Sequence, residues 1–95
     1  MDDDFKVSVE SQVRYLNRRI VELGAVITGE TVDFELAKKM GHQIKGNAEN
    51  FEFENLIDMA KELEFSAIEA DKVAVQSAVQ SLLDALNVHL KNLAP

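Results

Sequence analysis

The sequence predicts an all-α fold, an antiparallel up-and-down four-helix bundle, from three observations. The composition favours helix, because Ala, Leu, Glu, Lys and Gln are abundant and the single proline is the last residue. Apolar residues recur at spacings of three and four along four successive stretches, and no stretch alternates as a strand does. The connections are short, and short loops join neighbouring antiparallel helices. At 95 residues, we expect one domain spanning 1–95.

The first helix is predicted to begin after Ser8, a suitable N-cap, and to end at Gly24 or Gly29. Arg19 falls outside its apolar stripe. The segment 1–7 precedes this helix and is expected to be loosely attached, although Phe5 and Val7 could pack over one end of the bundle. The stripe consists of Val9, Val13, Leu16, Ile20 and Leu23.

Three more helices follow in the same way. The second is predicted at about 32 to 49, with Asp33 or Thr31 as its cap. The third begins just after residue 50 and runs to about residue 68. Asp71 caps the fourth, which extends nearly to the end of the chain. Their apolar stripes are Leu36, Met40, Ile44 and Ala48, then Phe53, Leu56, Ala60, Leu63 and Ala67, and finally Val75, Val79, Leu82, Leu86, Leu90 and Leu93.

Charge and composition exclude several functions. The formal net charge of −7 argues against nucleic acid, because its phosphates would be repelled by most of the surface. No apolar run approaches the roughly 18 residues of a membrane span, and the acidic start of the chain is unlike a targeting segment. There is no cysteine, so disulfides and thiolate metal sites are excluded. We therefore expect a cytoplasmic monomer whose partners are proteins.

The most reactive combination of side chains lies at His42, Lys45 and Gly46. Positions three and four apart are neighbours on a helix, so the ammonium group and the glycine both lie beside the imidazole. At about 100° per residue, His42 falls about 200° from Met40, whose side faces the core. We therefore predict that His42 faces solvent as an exposed nucleophile.

Two glycines, Gly41 and Gly46, lie inside the predicted second helix, where each costs on the order of 1 kcal/mol relative to alanine. Gly46 points away from the core, and its missing side chain would let another protein reach the imidazole of His42. For Gly41, close packing against a neighbouring helix is at least as good an explanation.

The residues around His42 also match a known pattern. It reads His-x-(Leu/Ile)-Lys-Gly-x-(Ala/Ser), followed by apolar positions and a leucine stripe that ends in Leu-Glu. The matching residues are His42, Ile44, Lys45, Gly46, Ala48, Phe51, Phe53, Leu56, Leu63 and Glu64. In these positions the chain resembles the histidine-containing phosphotransfer (HPt) domain family. Glu52 stands where a turn glycine is expected, so this connection could use another backbone conformation or a longer helix.

The resemblance implies a phosphorelay intermediate. His42 would accept a phosphoryl group from an aspartyl phosphate on a receiver domain, or from a sensor kinase, and transfer it to an aspartate of another receiver. A neutral imidazole has a free lone pair for this at neutral pH, and Lys45 would stabilise the charge on the transferring oxygens. The chain would be a phosphocarrier rather than an ATP-dependent enzyme. It would bind no cofactor or metal, because Mg²⁺ would lie on the partner receiver domain.

Five residues near the histidine are candidates for contact with a partner. Phe34 lies at the border between the core and the histidine face, where it could equally be a core residue at the bundle edge. Lys38 and Lys39 lie one turn before the histidine and could add positive potential toward an acidic receiver site. Gln43 could contact a docked partner, and Glu49 could hydrogen-bond the imidazole or simply be solvated.

A catalytically silent helical-bundle adaptor is the alternative, and it would bind receiver or kinase domains without being phosphorylated. His42, Lys45 and Gly46 oppose this hypothesis, because an adaptor needs no nucleophile beside a helix glycine. A four-helix metal protein would require inward-facing Glu-x-x-His pairs, and the sequence contains none.

Overall fold

The computed structural model describes residues 7–93, which form a four-helix bundle with one short hairpin. The sequence prediction of an all-α bundle is confirmed. The expectation for Phe5 lies outside the described residues, and Val7 is half-buried. Within 7–93, no helix is both long and apolar enough to cross a membrane. The elements are α1 (Val9–Gly24), β1 (Ile27–Thr28), β2 (Thr31–Val32), α2 (Phe34–Asn47), a 3-10 helix (Glu49–Phe51), α3 (Leu56–Ile68) and α4 (Lys72–Leu93).

Side-chain caps begin three of the helices, at the residues that the sequence predicts. In each case a side-chain oxygen accepts a hydrogen bond from a backbone N–H three residues further on, which satisfies one of the free donors of the first turn. The pairs are Ser8 with Ser11 at 3.1 Å, Asp33 with Leu36 at 2.9 Å, and Asp71 with Ala74 at 3.1 Å.

The hairpin is the first difference from the sequence prediction, which placed only a turn at this point. Ile27 pairs with Val32 and Thr28 with Thr31, and Gly29 supplies the positive φ of 63° that the tight turn requires. Strands of two residues are too short to show an alternating pattern. The first helix accordingly ends at Gly24, the earlier of its two predicted ends.

The connection between α2 and α3 is the second difference. The sequence placed the second helix at about 32 to 49 and the third from just after residue 50, with Phe53 inside the third helix. Instead, α2 ends at Asn47, and the backbone N–H of Phe53 donates to the carbonyl of Ala48 at 3.0 Å, which closes the end of α2. Glu52 adopts the left-handed conformation, with φ 70° and ψ 29°. Phe53 therefore precedes α3, although it is buried.

Glu52 therefore keeps a tight turn without the glycine. We expect Glu52→Gly to raise the free energy of unfolding by about 0.5–1 kcal/mol. The left-handed conformation costs a non-glycine residue about 1–2 kcal/mol, and glycine removes this cost. The greater conformational freedom of glycine in the unfolded chain offsets part of the resulting stabilisation. Equilibrium urea unfolding measures the difference. Glu54→Gly, in the same connection without positive φ, should destabilise the fold, and equal effects of both substitutions would contradict the explanation.

The buried face of α1 is the third difference. Val9 is 54% exposed, whereas Arg19, which the sequence placed outside the stripe, is only 7% exposed. The helix is turned so that Gln12 reaches the 3-10 helix and Tyr15 reaches the carboxyl end of α2. The amide of Gln12 donates to the carbonyl of Phe51 at 2.8 Å, and the hydroxyl of Tyr15 donates to Asn47 Oδ1 at 2.7 Å. The buried residues of α1 are Gln12, Tyr15, Leu16, Arg19 and Leu23.

Candidate functional site

His42 lies on the exposed face of α2. Met40 and Ile44, two residues before and after it, are 1% and 0% exposed and fix the inner face of the helix in the core. The side chain of His42 is 70% exposed. The sequence prediction that this imidazole faces solvent is confirmed.

Glu64 on α3 contacts the imidazole from one side. Its Oε2 lies 3.3 Å from His42 Nδ1. A carboxylate only accepts hydrogen bonds, so the ring nitrogen that faces it is the one that carries the hydrogen. In the neutral ring the lone pair is then on Nε2. No other described side chain hydrogen-bonds this ring. The arrangement leaves a nucleophilic nitrogen directed toward solvent.

Lys45 holds the same carboxylate. Its Nζ donates to Glu64 Oε1 at 2.7 Å, and the lysine side chain is 34% exposed. This hydrogen bond lowers the pKa of Glu64 below its ordinary value, and the loss of solvent around the carboxyl opposes the change. Glu64 is therefore ionised at neutral pH, and both of its oxygens can accept hydrogen bonds. Lys45 and His42 both contact the carboxylate of Glu64, so the three side chains form one row across α2 and α3.

Gly41 brings these two helices together. A Cβ built on Gly41 would lie 2.7 Å from the backbone nitrogen of Glu64 and 2.8 Å from the carbonyl oxygen of Ala60. Such distances are not possible between real atoms, so the absent side chain is what permits the approach. Close packing, which the sequence left as one explanation of Gly41, is the correct one. It also places Glu64 within reach of His42.

Gly46 is different. Nothing lies within 4 Å of the position that its Cβ would occupy, and the residue is exposed. It leaves open space one turn after His42 on the same face of α2. This geometry agrees with the role that the sequence assigns to Gly46, which is access to the imidazole.

The five predicted contact residues fall into two groups. Lys38 and Lys39 are exposed and line an open depression together with the histidine and Glu64, whereas Glu49 is exposed within the 3-10 helix. Phe34 is half-buried and packs against the core. Gln43 is also half-buried, and its Oε1 accepts a hydrogen bond from Arg19 at 3.3 Å. Only the two lysines are brought together with the histidine.

The second histidine has a structural role. The Nε2 of His89 lies 2.7 Å from Asn55 Oδ1, and its ring packs on Phe53 with the centroids 4.5 Å apart. Burial lowers the pKa of His89 below its ordinary value. The ring of His89 is half-buried and held by these two contacts, whereas the side chain of His42 is 70% exposed, so His42 is the candidate nucleophile.

Glu64 is the site residue that the sequence reasoning missed. The sequence does contain a signal for it, because Leu63 and Glu64 end the matched pattern. Spacing alone could not reveal its function, since Glu64 lies 19 positions beyond Lys45 and on another helix. The described residues contain no group of three or more His, Asp or Glu side chains that could hold a metal ion.

Comparison with known proteins gives one family. The family model of the Hpt domain matches residues 3–92, nearly the whole chain. No curated protein and no solved structure matches the chain.

Proposed function

The chain belongs to the Hpt domain family, and we propose from this premise that it is a phosphorelay intermediate in which His42 carries the phosphoryl group. Hpt domains are phosphocarriers of two-component signalling that interact with receiver domains and kinases. In this proposal His42 takes the group from an aspartyl phosphate of a receiver domain, or from a sensor kinase. It then delivers the group to the aspartate of another receiver.

The observation that carries the proposal is that the exposed imidazole of His42 contacts the largely buried carboxylate of Glu64. His42 is 70% exposed, yet its Nδ1 is 3.3 Å from a carboxylate that is itself only 16% exposed. Glu64 on α3 thus holds the ring at Nδ1, and Nε2 stays accessible. Phosphoryl transfer depends mainly on alignment and charge stabilisation, and this pairing supplies alignment.

The transfer step is an in-line displacement at phosphorus. The lone pair of His42 Nε2 forms the N–P bond while the P–O bond to the partner's aspartate breaks, and the aspartate leaves as a carboxylate. The proton on Nδ1 stays in place, so the ring gains a positive charge. The carboxylate of Glu64 stabilises that charge. The reverse step, onto the aspartate of a second receiver, completes the relay.

Lys45 contributes in two ways in this proposal. One of its three N–H donors holds Glu64, and the others remain to stabilise charge on the transferring oxygens. The chain binds no cofactor for the reaction, since Mg²⁺ belongs to the receiver domain. It acts as a monomer and does not use ATP by itself.

The direct experiment is incubation of the chain with a phosphorylated receiver domain and Mg²⁺. The proposal predicts a phosphoryl group on the chain that is labile in acid and stable in base, with a matching loss from the receiver. A receiver that binds the chain but never transfers the group would favour the silent adaptor instead. A mixture with unphosphorylated receiver and ATP is the control, and the chain should stay unlabelled.

Glu64 is proposed as a positioning residue, and Glu64→Ala should slow transfer about tenfold. A hydrogen bond to a charged group contributes about 1.5–3 kcal/mol. Because His42 is exposed to solvent, we take the lower end of this range. A change of about 1.4 kcal/mol in the activation free energy changes the rate tenfold. The initial transfer rate from a phosphorylated receiver measures this. Glu62→Ala is a matched control on α3, because Glu62 is exposed and forms no hydrogen bond or ion pair with a site residue among residues 7–93.

A spectroscopic measurement separates positioning of the ring from general loss of structure. The ¹⁵N chemical shifts of the His42 ring report which nitrogen carries the hydrogen. We expect Nδ1–H in the wild-type chain and a larger share of Nε2–H in Glu64→Ala, with unchanged shifts for His89. An unaltered His42 ring together with an unaltered rate would contradict the role of Glu64.

A further inference from the structure

All three arginines of this acidic chain lie on α1, and all three line one groove. The groove runs between α1, the carboxyl end of α2 and the 3-10 helix, and has a volume of about 700 Å³. We call it the arginine groove. The residues that define it are Arg14, Tyr15, Arg18, Arg19, Asn47 and Phe51.

The floor of the arginine groove is rigid. The rings of Tyr15 and Phe51 are stacked with centroids 4.2 Å apart, and the Tyr15 hydroxyl is fixed on Asn47. Arg19 is 7% exposed and its guanidinium lies 5.1 Å from the centroid of the Tyr15 ring. A surface of aromatic rings and a buried arginine is thus formed before any partner binds, which lowers the entropy cost of binding.

Two exposed arginines, Arg14 and Arg18, form the rim of the arginine groove. The carboxylate of Glu22 forms its shorter ion pair with Arg19, whose Nη1 is 2.6 Å from Glu22 Oε1. Arg18 has only a 3.4 Å contact with the same carboxylate, and its side chain is 73% exposed. Arg14 is exposed and forms no ion pair with another residue in the range 7–93. The rim therefore has a net positive charge.

Basic side chains also lie between the arginine groove and His42. A second depression beside the groove is lined by Arg18, Lys39 and Gln43, with Glu22 among them. A third is lined by Lys38, Lys39 and His42, together with Glu35 and Glu64. Each depression shares a basic residue with the next, whereas the arginine groove itself is lined, within the described part of the chain, by three arginines and no carboxylate. The rest of the surface is dominated by carboxylates, as the formal net charge of −7 requires.

We propose that the arginine groove binds an acidic surface segment of the receiver domain and so orients that domain over His42. The proposal rests on the proposed function and adds a docking site on α1. The planar guanidinium groups of Arg14 and Arg18 match carboxylates in two-point hydrogen bonds. Complementary charge also steers encounter, and it raises association rates by about 10- to 1000-fold at low salt. The chain has a net negative charge, and so does the phosphorylated site of the receiver domain, so a local attraction is needed to offset their repulsion.

The test compares two double variants with the same change in formal net charge. Arg14→Glu with Arg18→Glu reverses the rim, whereas Lys72→Glu with Lys91→Glu reverses two exposed lysines of α4. The second-order rate of phosphoryl transfer from a phosphorylated receiver is measured at low and high salt. We expect the transfer rate of the arginine variant to fall at least tenfold at low salt and much less at high salt. The transfer rate of the lysine variant should fall less than threefold.

A small phosphoryl donor separates docking from chemistry. Phosphoramidate phosphorylates an exposed imidazole without a protein partner, and we expect equal labelling of His42 in the wild type and in the arginine variant. Arg14→Gln with Arg18→Gln, which removes charge without reversing it, should give an intermediate loss of transfer from the receiver.

Three results would overturn the docking proposal. They are equal transfer rates for the arginine variant and the wild type, equal losses in the two Glu double variants, and a parallel loss of phosphoramidate labelling. If the wild-type chain accepts no phosphoryl group from any receiver, the proposed function fails, and the docking proposal with it. That result differs from all three, because in each of them the wild type is labelled.

Discussion

Replacement of His42 by glutamine is expected to abolish phosphoryl transfer to this chain. Glutamine has a similar size and can still hydrogen-bond Glu64, but it offers no ring nitrogen with a free lone pair. The side chain at this position is 70% exposed, so the free energy of unfolding should change by no more than about 0.5 kcal/mol. The label that reaches the chain from a phosphorylated receiver domain and Mg²⁺ measures the effect.

The matched control is His89→Gln, since His89 is the other histidine of the chain. That variant should keep transfer, although it should lose stability because it removes the packing on Phe53 and the contact with Asn55. Labelling that persists in His42→Gln would place the phosphoryl group on another residue. Loss of labelling in both variants would point to a defect of the fold rather than of the nucleophile.

Gly41→Ala is expected to lower the free energy of unfolding by about 2 kcal/mol. The added methyl group would lie 2.7–2.8 Å from backbone atoms of Glu64 and Ala60, so α2 and α3 must separate. Overpacking costs about 1–3 kcal/mol, and a clash with backbone atoms falls at the upper end of that range, at about 3 kcal/mol. The higher helix propensity of alanine returns about 1 kcal/mol, which leaves a loss of about 2 kcal/mol. In a domain of this size, 1 kcal/mol shifts the Tm by about 4–8 °C.

Gly46→Ala is the control for helix propensity. It makes the same chemical change on the same helix, but no atom lies within 4 Å of the new methyl group. We expect it to stabilise the fold by up to about 1 kcal/mol. Thermal and urea unfolding of both variants test the assignment. A stabilised Gly41→Ala variant would contradict close packing of α2 on α3.

Separation of the helices should also affect the site. Glu64 provides one of the backbone atoms that Gly41 approaches, and its carboxylate contacts His42. Gly41→Ala should therefore move Glu64 away from the imidazole and slow transfer, even at temperatures where the variant is fully folded. Stability and positioning depend on the same glycine.

The fold was largely predictable because its signals are local. Ser8, Asp33 and Asp71 are caps whose function depends on a backbone N–H only three residues away. The helical phase also placed His42 on the solvent side, because Met40 and Ile44 are apolar and on the opposite side of the helix. Periodicity and capping involve neighbours in the chain, so the sequence displays them directly.

The errors arose where tertiary contacts outweigh local preference. Arg19 is polar, and the apolar pattern therefore left it outside the core. It is buried because Tyr15, Glu22 and Gln43 surround its guanidinium. Glu52 adopts a left-handed conformation that its own propensity opposes, since the turn between α2 and α3 imposes it. Neither arrangement can be derived from neighbouring residues in the chain.

The candidate site was predictable for α2 and not for α3. His42, Lys45 and Gly46 lie within five consecutive residues, so helical geometry alone places them together. The part played by Glu64 depends on how α3 packs against Gly41, which is a property of the folded chain. The arginine groove was missed for a similar reason, because it needs residues of α1, α2 and the 3-10 helix.

The position of phosphorus on the labelled chain shows directly whether His42 carries the phosphoryl group. The chain is labelled by a phosphorylated receiver, and ¹⁵N and ³¹P NMR spectra then identify the bonded nitrogen through its coupling to phosphorus. We expect one phosphoryl group, on Nε2 of His42, with Nδ1 facing Glu64. Phosphorus on Nδ1 of His42, on His89 or on any other side chain would refute the assignment of Nε2 as the nucleophile.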